Sequence, residues 1–169
     1  AFAGALAAPD PSRAWAQVCG PVILAGHDAD DHGFETVYAG LFDEILAHAS
    51  NGGSGILAIG ADPGSRAGSW IVRVAGLMQT PQTVTFVNDA AISTQSFAGF
   101  AILHVPSDGR DIGGGITQAE NDRLAAGAND IGDFVRGGGG LFGLTQGELT
   151  NAWTYVSTVA PIEHRDAPP

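Results

Sequence analysis

Lysine is missing from this chain, and cysteine nearly so. The 169 residues hold seven basic side chains, all arginine (13, 66, 73, 110, 123, 136 and 165), against eighteen acids, for a formal net charge of −11. Phosphate neutralisation needs clustered Lys or Arg, so the balance argues against nucleic acid and anionic membrane surfaces as partners. With Cys19 alone, no disulfide can close within the chain, and only an intermolecular bridge is open to it. No apolar run approaches the ~20 residues of a membrane span. The glycine runs 113–115 and 137–140 are not followed by Gly-Lys-Ser/Thr, and no GxGxxG follows the first apolar run, so nucleotide binding has little support. The three tryptophans (15, 70 and 153) are not clustered with other aromatics, and they read as packing residues.

What is present is a foldable chain. Hydrophobic residues make up 44%, enough for one domain with a proper core. The sequence starts at Ala1 with "AFAGALAAPDPSRAWAQ", nearly free of charge, and Ala14-Trp15-Ala16 fits an A-x-A cleavage pattern. With the lack of lysine and the high glycine content, this points to an exported protein, secreted or at the cell surface. Residues 1–20 read as an arm or leader remnant, 21–160 as the folded domain and 161–169 as a tail.

Apolar runs and helical patterns alternate along 21–160. Residues 21–25, 55–60, 83–87, 100–105 and 141–144 read as five short strands. Between them, 34–49 is helical with Phe34, Val37, Leu41, Ile45 and Leu46 on one face, and 69–78 with Trp70, Val74 and Leu77 aligned. Asn88-Asp89 can cap a short helix at 90–96. Thr117 and Glu120 form a capping box that opens a helix to Arg136. A last helix is expected over 148–156. Short apolar strands separated by helices imply an α/β three-layer sandwich: a mainly parallel, doubly wound, flavodoxin-like sheet of five strands.

Such sheets bind ligands at the carboxyl ends of their strands. Every strand here is followed by an acid: Asp28, Asp30 and Asp31 after the first, then Asp62, Asp89, Asp108 and Glu148. Caps and turns favour Asp at these places, which is the structural use. The functional use is a hard-cation site for Ca²⁺ or Mg²⁺, with Asp28, Asp30 and Asp31 as ligands. His27 and His32 flank the same stretch, and with an Asp they form an alternative zinc set. His48, late in its helix, suits the dipole there.

"GGGGLFGLTQGE", residues 137–148, has the order of a strand, a tight turn and a helix. With "PVILAGHDADDHG" at 21–33 it resembles the class I glutamine amidotransferase-like superfamily, whose elbow reads G-x-C-x-G. The resemblance covers residues 20–160 as architecture, and only 137–147 carry the motif. It implies a flavodoxin-like fold with a nucleophile at the elbow. Thr145 stands where that family has its Cys, beside Gln146, and the downstream acid and base, Glu163 and His164, are adjacent rather than separated. A Thr hydroxyl needs a positioned base, and His104 and His164 are the weak alternatives. The chain therefore resembles a degenerate member whose elbow has lost its chemistry.

Three functions follow as expectations. The first is a non-catalytic, exported domain acting in binding or self-assembly of an extracellular or cell-surface structure, as a homo-oligomer or with other surface proteins. The second is a hydrolase, with or without a divalent metal, using the acidic rim with His27, His32 or His104 as base. The third is one module of a larger surface protein.

Overall fold

A computed structural model describes residues 19–144 and 149–160. Five strands form in the expected order: β1 (Val22–Ala25), β2 (Ile56–Ile59), β3 (Val84–Val87), β4 (Ile102–Val105) and β5 (Gly140–Leu144). They make one sheet ordered β1-β5-β4-β2-β3, and all four pairings are parallel. Counted from β2, this is the flavodoxin order 2-1-3-4-5, with the N-terminal strand in the fifth place. The order reverses between β2 and β4, so the crevice where such sheets take ligands lies above those two strands.

Alternation along the strands splits the core into two. Ile56, Ala58, Ile102, Phe142 and Leu144 face α2 (Glu35–His48) and α3 (Arg66–Leu77). Leu57, Ile59, Leu103, Val105 and Leu141 face α4 (Gln118–Ala126), α5 (Ala128–Arg136) and a 3-10 turn at Asp89–Thr94. β2 and β4 are buried along their whole length, which is why they read as unbroken apolar runs.

The helices start where local chemistry starts them. Ser65 caps α3 by accepting the Gly68 amide at 3.1 Å. Thr117 and Glu120 make the expected reciprocal box, with Thr117 N to Glu120 Oε2 at 3.0 Å and Glu120 N to Thr117 Oγ1 at 3.3 Å. At Gly139 a Cβ would overlap the Phe134 ring, so the glycine run lets α5 turn back tightly into β5.

Five expectations change, the simplest being that Leu77 is exposed while Trp70 and Val74 of the same helix are buried. The single helix to Arg136 is broken at Gly127 into α4 and α5. Residues 89–94 form a 3-10 turn, and Asp89 takes φ 52° with no side-chain cap from Asn88. After β5, the described residues carry turns and a 3-10 helix at Thr154–Val156 in place of an α-helix, and Asn151 and Trp153 sit at positive φ. In α2 the expected face holds at Ile45, with Leu41 and Leu46 packed against the core, and fails at Phe34 and Val37, which are 76% and 66% exposed, while Ala39 and Phe42 are buried instead. That helix has apolar residues around most of its circumference, so periodicity alone could not choose the face.

Candidate functional site

The loop after β1 is not open. Residues 29–32 form a one-turn helix, α1 (Ala29–His32), that packs onto α3. Asp30 turns inward from it and is only 2% exposed. Its carboxylate accepts from the Ser107 amide at 3.0 Å and from the Ser107 hydroxyl at 2.6 Å. Burial pushes the Asp30 carboxyl above the usual carboxylate range, and the two Ser107 bonds offset part of the shift. The contact pins the β1 loop to the chain just beyond β4.

The ligand trio Asp28, Asp30 and Asp31 is therefore not assembled, because Asp30 is spent on Ser107. His32 takes its place: donor atoms of Asp28, Asp31 and His32 lie within 4.8 Å of one another. His32 Nε2 is 3.3 Å from a carboxylate oxygen of each. Arg66 pairs with Asp31 as well, and donates to its carbonyl at 3.0 Å. An incoming cation thus meets an arginine already in position. One imidazole among the donors also departs from the all-oxygen shell that Ca²⁺ and Mg²⁺ prefer. His27 stands apart from this group. Its Nε2 is hydrogen-bonded with the Tyr38 hydroxyl at 2.5 Å. Burial raises the Tyr38 pKa, and the Asp28 and Asp30 charges add to this, so the phenol keeps its proton. The zinc set of two histidines and an Asp is not brought together either.

The remaining rim acids hold loops. Asp62 is exposed and accepts from Asn88 Nδ2 at 2.8 Å. The Asp89 amide donates to Glu120 at 2.8 Å, so the capping glutamate also ties down the turn after β3. Asp108 is buried against Arg110, whose Nη2 lies 2.7 Å away. Thr145, Gln146, Glu148 and His164 lie outside the described residues.

His104 does not reach the rim. It sits within β4, fully buried among Phe42, Trp70 and Phe142, with its ring stacked on Phe142 at 5.8 Å. Its Nδ1 is 3.2 Å from the Phe142 carbonyl, which can only accept, so Nδ1 carries the proton and Nε2 is bare. Among the described residues Nε2 has no partner, nor has the indole nitrogen of Trp70. Desolvation lowers the His104 pKa to about 4, opposed only by the bond to Phe142. A surface base cannot be made from it.

Among the described residues, the 113–115 loop packs over the crevice above β2 and β4. The second and third amides of α3 are already used: Ala67 N donates to Gly113 O at 3.3 Å, and the Ser65 hydroxyl takes Gly68 N. Just ahead of the helix, Asp62 N donates to Gly114 O at 2.9 Å. Gly114 has φ 78°, and a Cβ there would overlap Ser65, so glycine is required for this contact. Sequence reading missed Ser107, Arg66 and Tyr38 as the partners of Asp30, Asp31 and His27, and the glycines 113–115 as the loop bonded to the start of α3. The only signal was the scarcity of base, which leaves Arg66 and Arg110 natural partners for the rim acids Asp31 and Asp108. Compared with models of protein families, with curated proteins and with solved structures, the chain finds no match.

Proposed function

We propose that this chain is a non-catalytic α/β domain that works by binding or self-assembly, as a component or module of an extracellular or cell-surface structure. One observation carries the reading: among the described residues, α1 and the 113–115 loop pack over the switch-point crevice, where a doubly wound sheet performs its chemistry, and bond to the chain beyond β4 and to the start of α3. A hydrolase would need a free base at this rim. The imidazoles described there are engaged, His27 with Tyr38 and His32 with two carboxylates. The resemblance to amidotransferase-like domains enters in the same sense, as a scaffold without its nucleophile. Export rests on composition, 25 glycines and no lysine in 169 residues. Any rim cation belongs to Asp28, Asp31 and His32, with Asp30 withdrawn from the set.

The test is the mass of the protein at physiological ionic strength, by light scattering and native mass spectrometry, with calcium and with EDTA. A homo-oligomer is expected. Dissociation in EDTA would assign the contact to the rim, and persistence would assign it to protein surfaces. A monomer under both conditions, together with turnover of simple esters or amides, would overturn the reading.

A further inference from the structure

At the opposite end of the sheet, beside the amino ends of β2, β4 and β5, lies a cleft of about 590 Å³. Phe97 and Phe134 form part of its wall, their rings edge to face at 6.1 Å. Asp130 and Asp133 project from α5 one turn apart, and Gln95 and Asn51 add amides. Among the described residues that line it there is no Lys, Arg or His. Asp133 is already paired with Arg136 at 2.6 Å, whereas the Asp130 carboxylate has no ion pair or hydrogen bond among the described residues.

An aromatic wall beside an unpaired carboxylate has a defined chemical complement. A planar cation can stack on the ring face and meet the carboxylate with two parallel N–H donors. Guanidinium satisfies both demands, and an ammonium only the electrostatic one. Among the described residues, no arginine supplies the group. Arg66, Arg73, Arg110 and Arg136 are each bound to a carboxylate. Arg123 lines a smaller neighbouring cleft of about 170 Å³, which shares Asp130, and it forms no ion pair with that residue. The two clefts share Ser93, Gln95 and Phe97 as well, and Arg123 does not line the larger one. The volume of the larger cleft exceeds a bare guanidinium and falls in the usual range for ligand sites. It leaves room for the flanking backbone, whose amides the Ser93–Ser96 hydroxyls and Gln95 can meet.

We infer that this cleft binds an arginine side chain presented by a peptide segment of a partner protein. The inference stands on the cleft alone, and it needs neither a rim cation nor self-assembly.

The experiment is an amide NMR titration of the whole chain with acetyl-Gly-Arg-Gly-amide at low ionic strength. The Lys and Gln analogues are run beside it. Saturable shifts are expected at 93–99 and 130–137, with the Arg peptide tightest and the Gln peptide at least tenfold weaker. Asp130→Asn should weaken the Arg peptide at least tenfold. Asp111→Asn makes the same charge change at another exposed site and should leave binding intact. Phe97→Leu should erase the preference for Arg over Lys. Equal binding of the Gln peptide, equal weakening by Asp111→Asn, shifts elsewhere, or no saturation at millimolar peptide would each overturn the inference.

Discussion

Two buried titratable side chains set opposite pH dependences. His104 has its pKa lowered from 6.5 to about 4. The unfolded chain takes up the proton near pH 6.5 and the folded chain resists until about pH 4. Stability is therefore complete above pH 6.5 and is lost as pH falls towards 4, by about 3 kcal/mol for a shift of this size. His104→Phe keeps an aromatic among Phe42, Trp70 and Phe142 and removes the titration. Urea unfolding of that variant should lose most of the stability change between pH 6.5 and 4. Asp30 works the other way. Its pKa is raised, so its contribution is present at low pH and declines as pH rises through the carboxylate range. Ser107→Ala deletes the 2.6 Å donor to that carboxylate. The expected cost at pH 7 is about 1.5–3 kcal/mol, the usual worth of a hydrogen bond to a charged group. The loss should shrink as pH falls and Asp30 takes up its proton, which its raised pKa brings on earlier than for an ordinary carboxylate, and a pH-independent loss would mean that the bond is not to the ionised form.

At the scale of elements, α2 separates what was legible from what was not. Its existence follows from sixteen residues of helical pattern, but its orientation does not. Phe34→Ser and Val37→Ser should each shift the unfolding free energy by less than about 0.5 kcal/mol, as surface changes do. Phe42→Ala should cost about 3–5 kcal/mol, the range for an emptied aromatic site. The reverse ranking in denaturant melts would restore the face that periodicity suggested. The strands were legible because β2 and β4 are buried on both faces and read as apolar runs. The box at Thr117 was legible because capping is a local rule. The break at Gly127 was not, because a lone glycine in a helical pattern is as often tolerated as terminal. The rim was legible as a set of acids and illegible as a site. Asp30 and Ser107 are 77 residues apart, and only the fold brings them together. The packing of 113–115 over the crevice is equally non-local.

For the whole molecule, the strand order decides where stability concentrates. β1 and β3 are edges, while β2, β4 and β5 have a hydrogen-bonded neighbour on each side. β1 is half-buried along its length, whereas β2 and β4 are wholly buried. Edge strands can open locally, and fully buried central strands exchange only when the domain unfolds. Amides of β2 and β4 should therefore exchange with a free energy equal to global unfolding, and those of β1 with a smaller one. The Asp30–Ser107 contact bears on this order, because it ties the loop leaving β1 to the chain beyond β4, past the intervening β5. If that latch holds the edge, Ser107→Ala should speed exchange in β1 by more than its global destabilisation requires, and leave β2 and β4 shifted only by the global amount. Uniform acceleration across all strands would show that the latch stabilises the fold as a unit and does not guard its exposed edge.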